Sequence, residues 1–292
     1  METAEFLSPK QVALAIGVSE SSLKRWCDKG VIPVSKTAGG HRKLSKPDVV
    51  SFLRKTGQNL SQPALLGLPD GKGWKTVNLD KLAKSWVESV IQGDQDTANR
   101  LIVGPFIQGQ SLSQLFDRII VNGLQQIRSM REQGHLEDYQ ENLAVEVCLS
   151  LLRDLQALIP RPQADAMTAV GGTPEGDTHS LPVRMAELLF QSLGWNTTNL
   201  GCGLTFDALN RAAERYRPNL FWISISAASH LEHCRDGLIR FHQELPQKTA
   251  LVVTGEAIPQ KAKNTIPQVV FCETTQQLAA FLKTITIVTT NS

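Results

Sequence analysis

Along the first 55 residues apolar positions recur at helical spacing in short bursts, each bracketed by start and stop signals. Ser8-Pro9-Lys10-Gln11 supplies an N-cap, a proline at the first helical position and a Gln at N3 able to close a capping box, and Val12, Leu14, Ala15 and Ile16 follow as an apolar stripe. Gly17 ends that helix. Ser19 caps a second, with Leu23 and Trp26 on one face, Lys24 and Arg25 on the other, and Gly30 as its stop. Two short helices across a Gly-Val-Ser turn predict a helix-turn-helix. Val31-Ile32-Pro33-Val34 and then Thr37-Ala38-Gly39-Gly40-His41-Arg42-Lys43-Leu44 predict a β-ribbon with a Gly-rich, basic tip, and Ser45-Lys46-Pro47-Asp48 caps a third helix through Phe52 and Leu53.

Residues 56–73 hold four glycines, Pro63, Pro69 and Ser61 with weak periodicity, the composition of a linker. From Trp74 to about Ile159 the period is helical again. Leu79, Leu82, Ala83, Trp86, Val87, Val90 and Ile91 share a face, Gly93-Asp94 interrupts, and helices are predicted over Thr97–Val103, Leu112–Ile127 and Glu141–Leu158. No sustained heptad accompanies them. From about Gln163 short apolar strands alternate with longer helices: strands at Ala166–Gly171, Asn196–Leu200, Leu220–Ser226, Ala250–Thr254 and Val269–Phe271, helices at Leu181–Leu193, Phe206–Tyr216, Leu231–Glu244 and Thr275–Leu282. That alternation predicts a parallel sheet with helices on both faces, whose ligands sit beyond the carboxyl ends of the strands. The rule points at Gly172–His179, Ser224–His230 and Gly255–Ala257. The fold class is therefore multidomain: an α winged helix-turn-helix, a helical bundle, and an α/β Rossmann-like (flavodoxin-like) domain, divided as 1–57, linker 58–73, 74–160 and 161–292.

Charge sharpens this division. The 292 residues carry a net +2, but residues 1–55 hold ten Lys/Arg against five acids, leaving about −3 on the rest. A basic end on an acidic body points to a nucleic-acid module joined to something else. No apolar run is long enough to span a membrane and METAEFLSPK has no leader character, so a cytoplasmic protein is expected. Cys27, Cys148, Cys202, Cys234 and Cys272 are odd in number and never spaced C-x-x-C, which argues for free thiols over disulfides or structural zinc. His230-x-x-His233-Cys234 has metal-binding residue types without further ligands, and Gly171-Gly172 fits neither phosphate-loop pattern.

Helix, turn, basic helix with Trp26, Gly-Val-Ile-Pro, Gly-Gly-His-Arg-Lys-Leu and a Pro-Asp-Val helix, in that order, resemble the winged-helix DNA-binding domain of the MerR family. The resemblance implies that Ser21, Ser22, Lys24 and Arg25 meet base edges or phosphates and that Gly39, Gly40, His41, Arg42 and Lys43 form the wing. The cations suit phosphate by counterion release and the glycines by close backbone approach. Similar domains occur in phage excisionases, so DNA binding is the broader expectation.

The remainder resembles the helical and corrinoid-binding domains of the light-dependent CarA/CarH/LitR repressors and of corrinoid enzymes. That family places Asp-x-His-x-x-Gly after the first strand, Ser-x-Leu after the third and Gly-Gly after the fourth. Here these read Asp177-Thr178-His179-Ser180-Leu181-Pro182, Ser224-Ile225-Ser226 and Gly255-Glu256. The resemblance implies cobalamin, as adenosylcobalamin, with His179 ligating cobalt and Asp177 orienting its other ring nitrogen, alongside Ser224 and Gly255. Over the cofactor's upper face the family has a tryptophan and a Glu-His pair, where this chain has Arg131, Glu141 and Asn142.

The expected protein is a regulator and not an enzyme: a repressor of transcription, bound to double-stranded operator DNA with repeated half-sites as a homodimer or homotetramer. Two alternatives are a cobalamin-independent regulator whose C-terminal domain serves oligomerisation or antirepressor binding, and, from another class, a corrinoid carrier in methyl transfer.

Overall fold

The computed structural model of the chain describes residues 6–69, 78–256 and 269–290, with side chains throughout those except at 228–232 and 286–290. Trp74, Ala257 and the side chain of His230 lie outside the described residues. The chain divides into two compact units, 1–160 and 161–292.

In the first unit α1 (Pro9–Ile16) opens on the expected capping box, Ser8 and Gln11 exchanging side-chain bonds with each other's backbone, and α2 (Glu20–Asp28) opens on Ser19, whose Oγ accepts from Ser22 N. The first strand, β1 (Phe6–Leu7), joins the ribbon strands β2 (Ser35–Lys36) and β3 (Arg42–Ser45) in an antiparallel sheet ordered β1-β3-β2. β1 has no counterpart among the predicted elements: two residues carry no periodicity, and only the pairing of Phe6 with Ser45 and Leu7 with Leu44 makes them a strand. Ser45 then caps α3 (Lys46–Thr56).

Residues 58–73, expected as a linker, are folded where the structure describes them. Ser61 N and Gln62 N both donate to Ala15 O, and a 3-10 turn at Pro63–Leu66 buries Pro63 and Leu66 beside α1. The punctuating residues that suggest free chain here build a tight cover for α1's C-terminus.

Five helices follow: α4 (Leu79–Ile91), α5 (Gln95–Ile107), α6 (Leu112–Leu115), α7 (Asn122–Glu132) and α8 (Asp138–Gln156). Two expectations change. α5 runs four residues past Val103 through Pro105, because a proline in the last turn removes a single helical hydrogen bond. The helix expected over Leu112–Ile127 is divided by a π segment, Phe116–Val121, whose Phe116, Ile119 and Ile120 are buried. Gly123 lets α7 close on Trp86 of α4: a Cβ there would stand 2.7 Å from the indole. Arg54 of α3 donates to Phe106 O and Gln110 O at the end of α5, and its guanidinium lies 3.9 Å from the Phe106 ring centroid. The helix-turn-helix region is thereby packed on the bundle.

The second unit alternates β4 (Thr168–Gly172), α9 (Ser180–Ser192), β5 (Asn196–Asn199), α10 (Phe206–Tyr216), β6 (Leu220–Ser224), α11 (Ala228–Glu244), β7 (Ala250–Thr254), β8 (Val270–Cys272) and α12 (Thr275–Thr290). The strands are all parallel in the order β5-β4-β6-β7-β8. Strand alternation explains the layers. Val170, Phe221, Ile223, Leu251 and Val253 form one core with Leu209, Leu238 and Phe241 of α10 and α11. Trp222 turns to the other face, against Phe190 of α9 with ring centroids 5.1 Å apart. Fully burying side chains of this size contributes roughly 2–3 kcal/mol each.

Candidate functional site

The strand order reverses between β4 and β6, and the crevice beyond the carboxyl ends of such a pair is where doubly wound sheets take ligands. Three loops meet there: the one after β4 carrying Asp177 and His179, the one after β6 carrying Ser226, and the Gly201-Cys202-Gly203 turn after β5.

Asp177 is the hub and is fully buried. Its Oδ1 accepts from His179 N at 3.1 Å and lies 3.1 Å from His179 Nδ1, while its Oδ2 accepts from Ser226 N at 2.6 Å. Ser226 Oγ is also 3.1 Å from His179 Nδ1. The loop itself is pinned from behind, with Thr173 Oγ1 donating to Asp177 O and Gly203 N donating to Thr173 Oγ1. Burial pushes the Asp177 carboxyl up, but the donors from Ser226 and His179 outweigh it and hold the carboxyl below its ordinary range. An ionised carboxylate at Oδ1 favours the tautomer with hydrogen on Nδ1, which makes Nε2 the acceptor nitrogen of a ring 59% exposed. An oriented, exposed imidazole backed by a buried carboxylate is suited to ligating a metal or accepting a proton.

Two expectations at this site shift. Ser224, expected to face a ligand, is fully buried, and its Oγ pairs with Thr254 Oγ1 at 2.9 Å. The serine that reaches the histidine is Ser226, two residues along the same motif; the motif pattern singles out its first position, but the strand ends at Ser224 and the loop beyond it carries the third to the histidine. Gly255 also answers to packing, since a Cβ there would stand 2.1 Å from Ile225 O. Thr173 and the Gly-Cys-Gly turn belong to no motif, and their only sequence signal is the glycine pair, with Gly201 and Gly203 both at positive φ.

In the first unit Arg131 and Glu141 come together. Arg131 Nε lies 2.5 Å from Glu141 Oε2 and its Nη1 donates to Asp138 at 3.3 Å, while Arg128 donates to Glu141 at 3.1 Å. The hydrogen bond to Asp138 and the charge of Glu141 raise the Arg131 pKa. Asn142 is exposed on α8. These side chains tie α7 to α8.

The basic module presents Ser21, Lys24, Arg25, Gly39, Gly40, His41 and Lys43 exposed, with Ser22 partly buried. Lys24 pairs with Glu20 at 2.8 Å, an exposed i,i+4 pair that a stronger anion can replace. At the ribbon tip Gly40 N donates to Thr37 O with Gly40 at φ 79°, a conformation a side chain would strain. Arg42 differs from its neighbours: it is partly buried and its Nη2 donates to Asp28 at 2.6 Å.

Residues 6–57 match the helix-turn-helix domain family. No curated protein matches the chain. Among solved structures the chain is similar to the monomethylamine corrinoid protein of Methanosarcina barkeri, at 14% identity over 70% of this chain and 98% of that one, with a TM-score of 0.57. It also aligns with a cobalamin-binding protein from Desulfitobacterium hafniense DCB-2 (13% identity, 69% and 97% covered, TM-score 0.37). A further alignment is with the methanol:cobalamin methyltransferase complex MtaBC from Methanosarcina barkeri (15%, 70% and 80%, TM-score 0.38). The first of these likenesses is one of fold: a Rossmann-like, parallel-sheet α/β domain. Its 70% of the chain exceeds what residues 161–292 comprise, so part of the helical unit shares it. No helix among the described residues is long and apolar enough to cross a membrane.

Proposed function

We propose that the chain is a DNA-binding regulator of the MerR type, a repressor, whose C-terminal unit takes a corrinoid through His179. The observation that carries the reading is the Asp177–His179–Ser226 arrangement at the sheet's switch point, supported by the fold likeness to a corrinoid protein and by the helix-turn-helix match. The donor set fits the group, because an exposed imidazole oriented by a buried carboxylate is what would hold a metal already bound in a macrocycle. A corrinoid held there by His179 would supply cobalt-centred ligand-exchange chemistry. The chain's own residues do the rest: Asp177 fixes the ring and its tautomer, Ser226 holds Asp177, and Thr173 and Gly203 keep the loop in place. At the other end Lys24, Arg25, His41 and Lys43 meet the duplex backbone, and self-association through the C-terminal units raises affinity for repeated half-sites.

The test mixes the full chain with adenosylcobalamin in the dark, removes free cofactor, and records the visible spectrum and the size in solution. Retained colour that His179→Ala abolishes is expected; retention unchanged by that substitution overturns the role of His179. In parallel, Lys24→Ala is expected to lower duplex affinity and reduce the salt slope by about 1.

A second reading, a cobalamin-independent regulator whose C-terminal unit serves oligomerisation or antirepressor binding, is favoured by the packing behind the site. Trp222, Phe190 and Trp195 fill the layer under α9, and Ser224 and Thr254 satisfy each other. A colourless protein of fixed size after the same mixing selects this reading.

A further inference from the structure

Asp28 stands at the end of α2, where the helix dipole disfavours an acid, inside a module that is otherwise basic. Its partner explains its presence. Alternation along β3 puts Arg42 on the same side as Leu44, which is fully buried, and puts Lys43 on the outer side over the Phe6 ring, 5.2 Å from its centroid. Arg42 is thereby turned toward α2. Its Nη2 lies 2.6 Å from Asp28 Oδ1, and its Nε is buried with no hydrogen-bond partner among the described residues. The pair is partly exposed, Arg42 at 29% and Asp28 at 58%, so it fixes a direction more than it adds stability.

The ribbon needs such a tie. β3 is anchored by its pairing with β1 and by buried Leu44, but β2, at the sheet's outer edge, is held only by the pairs Ser35–Lys43 and Lys36–Arg42. The ribbon's tip is closed by Thr37, whose N donates to His41 O at 2.9 Å and whose Oγ1 accepts from His41 N at 3.1 Å. The tip is therefore internally fixed, while its direction relative to α2 is held across 14 residues of sequence by the Asp28–Arg42 pair.

We propose that Asp28 is a positioning residue for DNA binding: through Arg42 it holds the ribbon at a fixed angle to α2, so that Lys43 and His41 reach the duplex when Lys24 and Arg25 do. The proposal rests on the reading of residues 6–57 as a duplex-binding module. In it Arg42 is a strut and makes no phosphate contact.

The two roles predict opposite signs for one substitution. If Arg42 grips phosphate, Asp28→Ala removes a competitor and a repelling charge, and binding tightens. If Arg42 is a strut, Asp28→Ala weakens binding about tenfold, Asp28→Glu restores most of it, and the Asp28→Ala/Arg42→Ala double variant is no worse than either single one. Affinity is measured on the full chain by fluorescence anisotropy, with a duplex selected from random-sequence DNA by the wild-type protein. Hydrogen exchange at the Ser35–Lys36 and Arg42–Lys43 amides of the β2–β3 ladder is read on the same variants without DNA, and Asp28→Ala is expected to speed it while far-UV circular dichroism stays native. Tighter binding by Asp28→Ala, additive losses in the double variant, or unchanged exchange overturns the strut. Wild-type protein that selects no duplex overturns the DNA-binding reading instead, and the exchange measurement still decides whether Asp28 holds the ribbon.

Discussion

Replacing Asp177 by asparagine keeps the side chain's shape and changes two things, its charge and the number of acceptors it offers. In the native loop both carboxylate oxygens are used, Oδ1 by His179 N and Nδ1 and Oδ2 by Ser226 N. An amide has one oxygen, so in either orientation its NH2 faces a backbone N–H. One buried donor is then left unpaired, which costs roughly 1–3 kcal/mol. For a unit of this size about 2 kcal/mol corresponds to a fall of roughly 4–8 °C in the melting temperature. The pH dependence gives the sharper check. The folded carboxyl is held below its ordinary value of 3.8 by the Ser226 and His179 donors, which outweigh burial. Its contribution is therefore complete above that value and is lost as pH falls through the lower folded value. The wild type should melt higher than Asp177→Asn at neutral pH, and the difference should close in strong acid. Thermal melts of both full-length proteins, followed by circular dichroism between about pH 2 and 7, make the comparison over the range in which a carboxyl titrates. Equal melting temperatures at pH 7, or a difference that persists unchanged into acid, would refute the account of Asp177 as an ionised hub.

Arg54→Ala should destabilise the first unit by about 2–3 kcal/mol, since it removes a charged donor to two carbonyls at the end of α5 and a stack on Phe106; urea denaturation followed by tryptophan fluorescence reads it, and an unchanged midpoint would show the contact to be idle. Gly171→Ala should cost about 3 kcal/mol or more or prevent folding, because the new Cβ would lie 2.1 Å from Trp222 O and 2.2 Å from its indole; soluble protein with a native melting curve would contradict the packing. In native protein at pH 8 a thiol reagent should modify Cys202 first, since Cys148 is buried with its thiol pushed up to about 12 and Cys234 and Cys272 are buried with theirs pushed up to about 11. Peptide mapping that found Cys148 among the fast sites would overturn this.

Most helix starts and several strands are legible in the sequence because their causes are local. The Ser8 capping box, the Ser19, Ser45 and Ser111 caps and the Thr205 cap each involve residues three apart, and Phe206–Tyr216 and Ala250–Thr254 fall where the pattern puts them. The candidate site is legible in part. Asp177 and His179 are two residues apart in a quotable motif, whereas Ser226 lies 47 residues from His179 and is masked by its more conspicuous neighbour.

What the sequence by itself determined is therefore the series of elements and the basic first module, set by capping, periodicity and composition within a turn or two, while the Asp-x-His loop stood out through its resemblance to a family motif. Tertiary structure decided the rest: that Phe6–Leu7 is a strand, that 61–66 closes over α1, that Ser224 turns inward while Ser226 meets the histidine, and that Arg42 finds Asp28. Each of these depends on where an element ends or which side of it a residue falls on, and on a partner distant in sequence, and the pattern of neighbouring residues carries no information about that partner.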